Sequence, residues 1–271
     1  MNTTCRTPSE NEELTLHSGE EHLIFERADQ SPHPTDLIVS PVELHQRNVQ
    51  RRLRERTLPK DAFAFVDPVG VAVALCHTAG HDTATIDRID RLSLLRSILD
   101  GEPADDPRRI PLPSGDADGD PQQVEQFRTE VETTTNFHPE RIAAWRETAA
   151  DCDAPIDADA ESVLDAAIRA EQELRDRTTT AVSETALLRV ATRSLSETDG
   201  GVWNETYPRI ERLSLVGLSS LSAPQADLVH ALCATTAVDV HLHFRSGTGP
   251  YLASRVQDLL TVTAPGSEVF Q

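Results

Sequence analysis

Residues 210–244 read IERLSLVGLSSLSAPQADLVHALCATTAVDVHLHF, and this stretch decides the fold. Ile210 to Val216 is a short apolar run that stops at Gly217, the mark of a buried strand. Ser222 has Gln225 three residues on, a capping-box spacing, and Pro224 fits the first turn of a helix. Leu228, Val229 and Leu232 give that helix its apolar stripe. Val238, Val240, Leu242 and Phe244 then alternate with Asp239, His241 and His243, the period of a half-buried strand. Strand, helix, strand in this order makes a βαβ unit, and the sheet around it is expected to be parallel.

Upstream, Asp36 to Ser40 reads as a buried strand halted by Pro41. A helix follows from Val42 to Arg56, with Val42, Val49 and Leu53 as its apolar stripe and Arg47, Arg51 and Arg54 on the other face. Ala62 to Val66 is a further strand, leading through Asp67 and Pro68 into an apolar helix that Gly80 stops. Ile86 to Leu99 is helical, with Ile89, Leu92, Leu95 and Leu99 in one stripe and Leu94 and Ile98 in a second. Residues 1–21 are polar and read as frayed, and His22 to Phe25 as a short strand.

Between the two α/β stretches the chain loses its strands. Residues 101–120 are an acidic Gly/Pro loop, and four helices are predicted in 121–200: Pro121–Thr134, Pro139–Cys152, Ala160–Arg177 and Ser183–Ser196. Thr198 to Gly201 ends them, and a last helix is expected from Pro250 to Val262. The predicted fold is α/β: a partial, parallel P-loop-NTPase-like sheet flanked by helices and interrupted by an all-helical insertion. Its parts are a polar segment 1–34, a first core part 35–100, the loop 101–120, the insertion 121–200 and a second core part 201–271.

Charge bounds the setting. The 271 residues carry 45 acidic and 25 basic side chains, a formal net charge of -20, and Lys60 is the only lysine. An acidic, lysine-poor surface suits molar salt, where the Debye length of ~3 Å screens self-repulsion. No window approaches ~18 apolar residues and the N-terminus has no apolar leader, so no membrane span and a cytoplasmic location are expected. Cys5, Cys76, Cys152 and Cys233 are too scattered for a disulfide framework or a zinc site.

The layout resembles the N-terminal half of AddB/RexB-type proteins, degenerate helicase-like subunits of helicase–nuclease complexes related to the UvrD/RecB superfamily. The resemblance rests on Leu37 to Pro41 followed by a basic helix, on the Asp90 to Leu99 helix, and above all on Leu215 to Gln225. In active UvrD-type helicases the matching strand ends in Asp-Glu; AddB-like proteins commonly have Gly-Phe; here it is Gly217-Leu218. Such proteins continue into a second motor-like domain and a nuclease domain. The resemblance therefore implies a truncated paralogue, a small separate subunit or a fragment of a split gene.

The chemistry that is missing agrees. A Walker A loop needs Gly-x-x-x-x-Gly-Lys-[Ser/Thr], and Lys60, between Pro59 and Asp61, cannot supply it. Gly217 and Leu218 offer no carboxylate to hold Mg²⁺. No catalytic residue, metal or cofactor is expected. For Arg47, Arg51, Arg52 and Arg54 two readings stand, contact with DNA phosphates or surface ion pairing with Glu43 and Glu55. Ser246, Gly247, Thr248 and Gly249 are either an anion-binding loop or a plain strand-to-helix turn. His241 and His243 could present two metal ligands, but local spacing supplies no third, so solvent-facing or edge-strand histidines are expected. The His77/His81 pair is interrupted by Gly80, and the Asp116 to Asp120 loop lacks the closing Glu of a calcium loop.

The function expected is a non-catalytic helicase-like component of DNA double-strand-break repair or recombination, with DNA and a UvrD-type helicase or nuclease as partners. The alternative is an α/β protein-interaction module with no nucleic-acid role.

Overall fold

The computed structural model describes residues 3–6, 13–19, 21–28, 33–59, 61–101, 110–111, 119–247 and 249–270. Six strands form one sheet: β1 (Thr3–Arg6), β2 (Glu13–Ser18), β3 (Asp36–Val39), β4 (Phe63–Val66), β5 (Arg212–Leu218) and β6 (Asp239–Phe244). Their order is β1-β2-β6-β5-β3-β4. The five from β2 to β4 run parallel, and β1 is antiparallel to β2. Every parallel neighbour needs a crossover, and the chain supplies helices for them.

Around the sheet lie α1 (Glu43–Glu55), α2 (Pro68–Thr78), α3 (Arg88–Gly101), α4 (Pro121–Thr135), α5 (Pro139–Ala150) and α6 (Ile156–Asp176). Then come α7 (Glu184–Glu197), α8 (Gly201–Thr206), α9 (Ala223–Thr235), α10 (Gly249–Ala253) and α11 (Val256–Leu259). The helical stretch α3–α7 lies between β4 and β5, so one sheet is assembled from both ends of the chain. Local signals set the helix ends. Asp67 caps α2 by accepting from the Gly70 amide at 2.6 Å, and Gln225 Oε1 accepts from the Ser222 amide at 3.2 Å before α9.

Alternation along the strands sorts side chains onto two faces. Leu14, Leu16, Leu37, Val39, Leu213, Leu215, Val240, Leu242 and Phe244 face the main core with α2, α7 and α9. Each fully buried side chain of this size contributes about 1.5–3 kcal/mol. The opposite face is covered over β3 and β4 by Val49 and Leu53 of α1 and by Ile24, Phe25 and Ala28.

Five local expectations are corrected. Residues 13–18, read as frayed, are strand β2, paired with β6 from Leu14↔Val240 to Ser18↔Phe244. Leu14 and Leu16 are the apolar half of a period-two pattern hidden among polar neighbours. His22 to Phe25 lies in a 3-10 helix, Glu21–Arg27, which buries Ile24 and Phe25, with Ala28 buried just beyond its end. Gly200 does not end the helical region: at φ +74 it begins α8, which buries Trp203 at 1% exposure. The last helix is two short ones, and the Ser254 hydroxyl bonds back to the Tyr251 carbonyl at 2.7 Å where α10 stops. Val42 and Ile89, assigned to apolar stripes, are exposed, whereas Val49, Leu53, Leu95 and Ile98 are buried.

The helical stretch holds a buried ionic network. Arg128 donates to Glu125, Glu132 and Glu171, and Arg189 donates to Glu132, Glu171 and Asn136. Arg175, Arg189 and Arg193 close on Glu268. Asp227 of α9, wholly buried, accepts from Asn136 and Arg141, both at 2.6 Å, and so ties the sheet's own helix to the turn between α4 and α5.

Candidate functional site

The carboxyl edge of a parallel sheet is where ligands bind in open α/β folds. Here β3 passes into α1 through Ser40, Pro41 and Val42 alone. The Ser40 hydroxyl donates to the Val42 carbonyl at 3.2 Å, closing the turn on itself. Three residues without a glycine cannot wrap backbone amides around a phosphate. Next to β3, β5 ends in a bulge between Val216 and Leu218. Gly217 there has φ +73, and a Cβ on it would sit 2.3 Å from Nδ1 of His45. Leu218 is 2% exposed in the main core. Gly217 is thus a bare backbone under an imidazole, and Leu218 is a core side chain. Lys60 and Thr248 lie outside the described residues, as do Asp116 and Asp118.

Beside Gly217 is a recess of about 200 Å³ lined by Ile24, His45, Asn48, Val49, Arg52 and Val216. Nη2 of Arg245 reaches Nε2 of His45 at 2.7 Å, joining the segment after β6 to α1. At about 100° per residue, the arginines of α1 divide. Arg47, Arg51 and Arg54 are exposed; Arg52 is half-buried at the recess. Arg47 pairs with Glu43, Arg51 with Glu55, and Arg54 donates to the Gln50 carbonyl. Ser246 and Gly247 are exposed, while Gly249 is buried against Ser18 and its amide donates to the Arg245 carbonyl at 2.8 Å. His45 and Arg245 carried no signal of their own in the sequence; the proximity of their elements comes from the strand order.

The histidines of β6 are not at an edge, because β2 pairs on its outer side. His17 of β2 stands directly across from His243, with His241 on the diagonal. His17 and His243 are 5% and 4% exposed, and His241 is half-buried. Nε2 of His17 lies 2.8 Å from Nδ1 of His241, and the His17 ring stacks on that of His243 with centroids 4.2 Å apart. Burial first, then Arg212, His17 and Arg27, push His241 down to about 3. Burial first, then the two other histidines, holds His243 well below the usual imidazole range. Both shifts favour the neutral imidazole at His241 and His243, whose ring nitrogens can act as donors to a cation. The expectation of solvent-facing histidines is therefore corrected. The third ring comes from the amino-terminal strand, and only the alternation Leu14, Thr15, Leu16, His17 could have pointed to it. His77 and His81 do not converge: His81 meets the Ser194 hydroxyl at 3.1 Å.

The family model described as halobacterial UvrD-like protein matches residues 2–271. The chain belongs to that halobacterial UvrD-like family. No curated protein matches it. A halobacterial UvrD-like protein fits the net charge of -20 and the solitary lysine. Family membership places the chain in a helicase-related context, at a level coarser than the AddB/RexB type. No helix among the described residues is long and apolar enough to cross a membrane.

Proposed function

We propose that this halobacterial UvrD-like protein is a non-catalytic, AddB/RexB-like component of DNA double-strand-break repair or recombination, binding DNA or scaffolding a UvrD-type helicase or nuclease. The observation that carries it is the contact of His45 with Gly217. It fills the ground where a motor's metal-holding acid would stand, on a strand that otherwise keeps its place beside β3. A chain in a helicase-related family with that position filled holds something; it does not turn over ATP. Its cationic side chains at the same end are Arg52 and Arg245 beside His45, with Arg47, Arg51 and Arg54 on the outer face of α1. Arginine is the side chain suited to phosphate oxygens.

The test is binding of tailed duplex DNA by the full chain in molar KCl, together with co-purification of helicase and nuclease partners from a halophilic host. Wild type is expected to bind, and Arg52→Ala/Arg245→Ala to weaken binding uniformly across sequences. Each lost phosphate contact is expected to shallow the slope of log affinity against log salt by ~0.9. Arg47→Ala/Arg51→Ala/Arg54→Ala separates the outer face from the recess. Absence of both DNA affinity and a helicase or nuclease partner would overturn the reading, as would ATP turnover by the purified chain.

A further inference from the structure

From the convergence of His17, His241 and His243 we infer a binding site for one borderline divalent transition cation, zinc first, seated between β2 and β6. The donor atoms of the three rings lie within 4.8 Å of one another. Zinc–nitrogen bonds of ~2.0–2.1 Å at tetrahedral angles place ligand nitrogens about 3.4 Å apart. The three rings stack within 18° of parallel, so binding requires them to turn until their planes meet at the ion, and the 2.8 Å contact between Nε2 of His17 and Nδ1 of His241 gives way to bonds to the metal. The strand register does the aiming. His17 and His243 are direct cross-strand partners and His241 is two residues along on the same face.

A stacked histidine cluster with a purely packing role would be expected to satisfy its nitrogens. Nδ1 of His243 is buried and has no hydrogen-bond partner among the described residues. An orphaned buried nitrogen in a ring of histidines is what a missing ligand leaves behind. The chemistry selects the ion: three imidazoles without a carboxylate suit zinc, cobalt, nickel or copper and disfavour Mg²⁺ and Ca²⁺, which prefer oxygen. Three nitrogen donors also leave the fourth tetrahedral position open.

The surrounding charge is balanced. Arg27 and Arg212 face the cluster, but Arg27 pairs with Asp36 and Glu211 at 3.3 and 3.1 Å, and Arg212 with Asp239 at 3.7 Å. The site is separate from the lost motor metal, which would sit at the end of β5. His243 is beside Val216, a wall of the basic recess, so the cation would lie one strand away on the same face.

The experiment titrates the chelator-treated full chain with Co²⁺ in molar KCl. It follows the visible ligand-field band, then displaces Co²⁺ with Zn²⁺ and offers Mg²⁺ as a competitor. Expected are one equivalent of Co²⁺, displacement by Zn²⁺ and none by Mg²⁺. His241→Ala and His17→Phe, the latter keeping a stacked ring while removing the donor, should each weaken Zn²⁺ at least ~10-fold, a floor set by what loss of a mere supporting partner costs. Exposed His33→Ala should change nothing. If a cluster variant fails to fold, the wild-type melting temperature decides: Zn²⁺ should raise it and chelator reverse the rise. No cobalt band, a band indifferent to the cluster variants, or no zinc-dependent shift overturns the site.

Discussion

Arg128 donates from Nη1 to Glu171 Oε2 at 2.9 Å with both side chains shut off from solvent, at 1% and 0% exposure. Glu171 also receives Arg175 and Arg189. Removing one member of a buried ionic set strands the rest, which costs about 3–5 kcal/mol. Glu171→Leu is expected to destabilise the chain by that order in denaturant melts at molar KCl. A loss under ~1 kcal/mol would show that water reaches the arginines.

Acid should undo the same network in a defined window. Burial of Glu132 would by itself raise its carboxyl, but Arg128 and Arg189 outweigh burial and hold it at about 2, below its ordinary 4.5. A carboxylate depressed in the fold contributes stability above its unfolded value and loses it as pH falls toward the folded one. Between pH 4.5 and 2 wild type should lose on the order of 3 kcal/mol through this group. Glu132→Gln, weaker at neutral pH, should show a flatter acid limb by one proton; an unchanged slope would contradict the assignment.

The Gly217–His45 contact calls for a double-mutant cycle. Gly217→Asp, restoring an acid to the strand end, meets both a left-handed backbone and the imidazole. The backbone alone costs roughly 1–2 kcal/mol. In a His45→Ala background the penalty should shrink toward that figure, and the difference measures the steric part. Equal penalties in both backgrounds would mean that α1 yields without effort.

Salt should separate surface from interior. With a formal charge of -20, dilution from molar KCl should lower the melting temperature steadily. The screening length grows from ~3 to ~10 Å at about 0.1 M. The penalty of Glu171→Leu should hardly change over that range, since buried pairs are little screened. A melting temperature flat in salt would remove the halophilic account of the surface.

The parallel sheet was legible because β3, β4 and β5 are short apolar runs ended by Pro, Gly or a polar turn and β6 alternates with period two, and the helices because their stripes recur every three or four residues. What stayed hidden depends on partners far along the chain. His17 and His241 are 224 residues apart, so no local spacing could join them. Arg128 and Glu132 look like any exposed i, i+4 pair, and only the packing of α4 against α6, with Arg189 reaching Glu132 from α7, makes them interior. Gly217 was visible as a departure from a motif, but His45 beside it follows from how α1 crosses the sheet.

Glu268 receives Arg175 from α6 and Arg189 and Arg193 from α7. On a ribosome those helices emerge well before residue 268, several seconds earlier at the usual pace of synthesis. Until then Arg175 shares Glu171 with Arg189, and the carboxylate that gathers both with Arg193 has not yet been made. The helical layer can collapse early but cannot lock early, and the nascent chain must pass through a state whose last fastening arrives from behind.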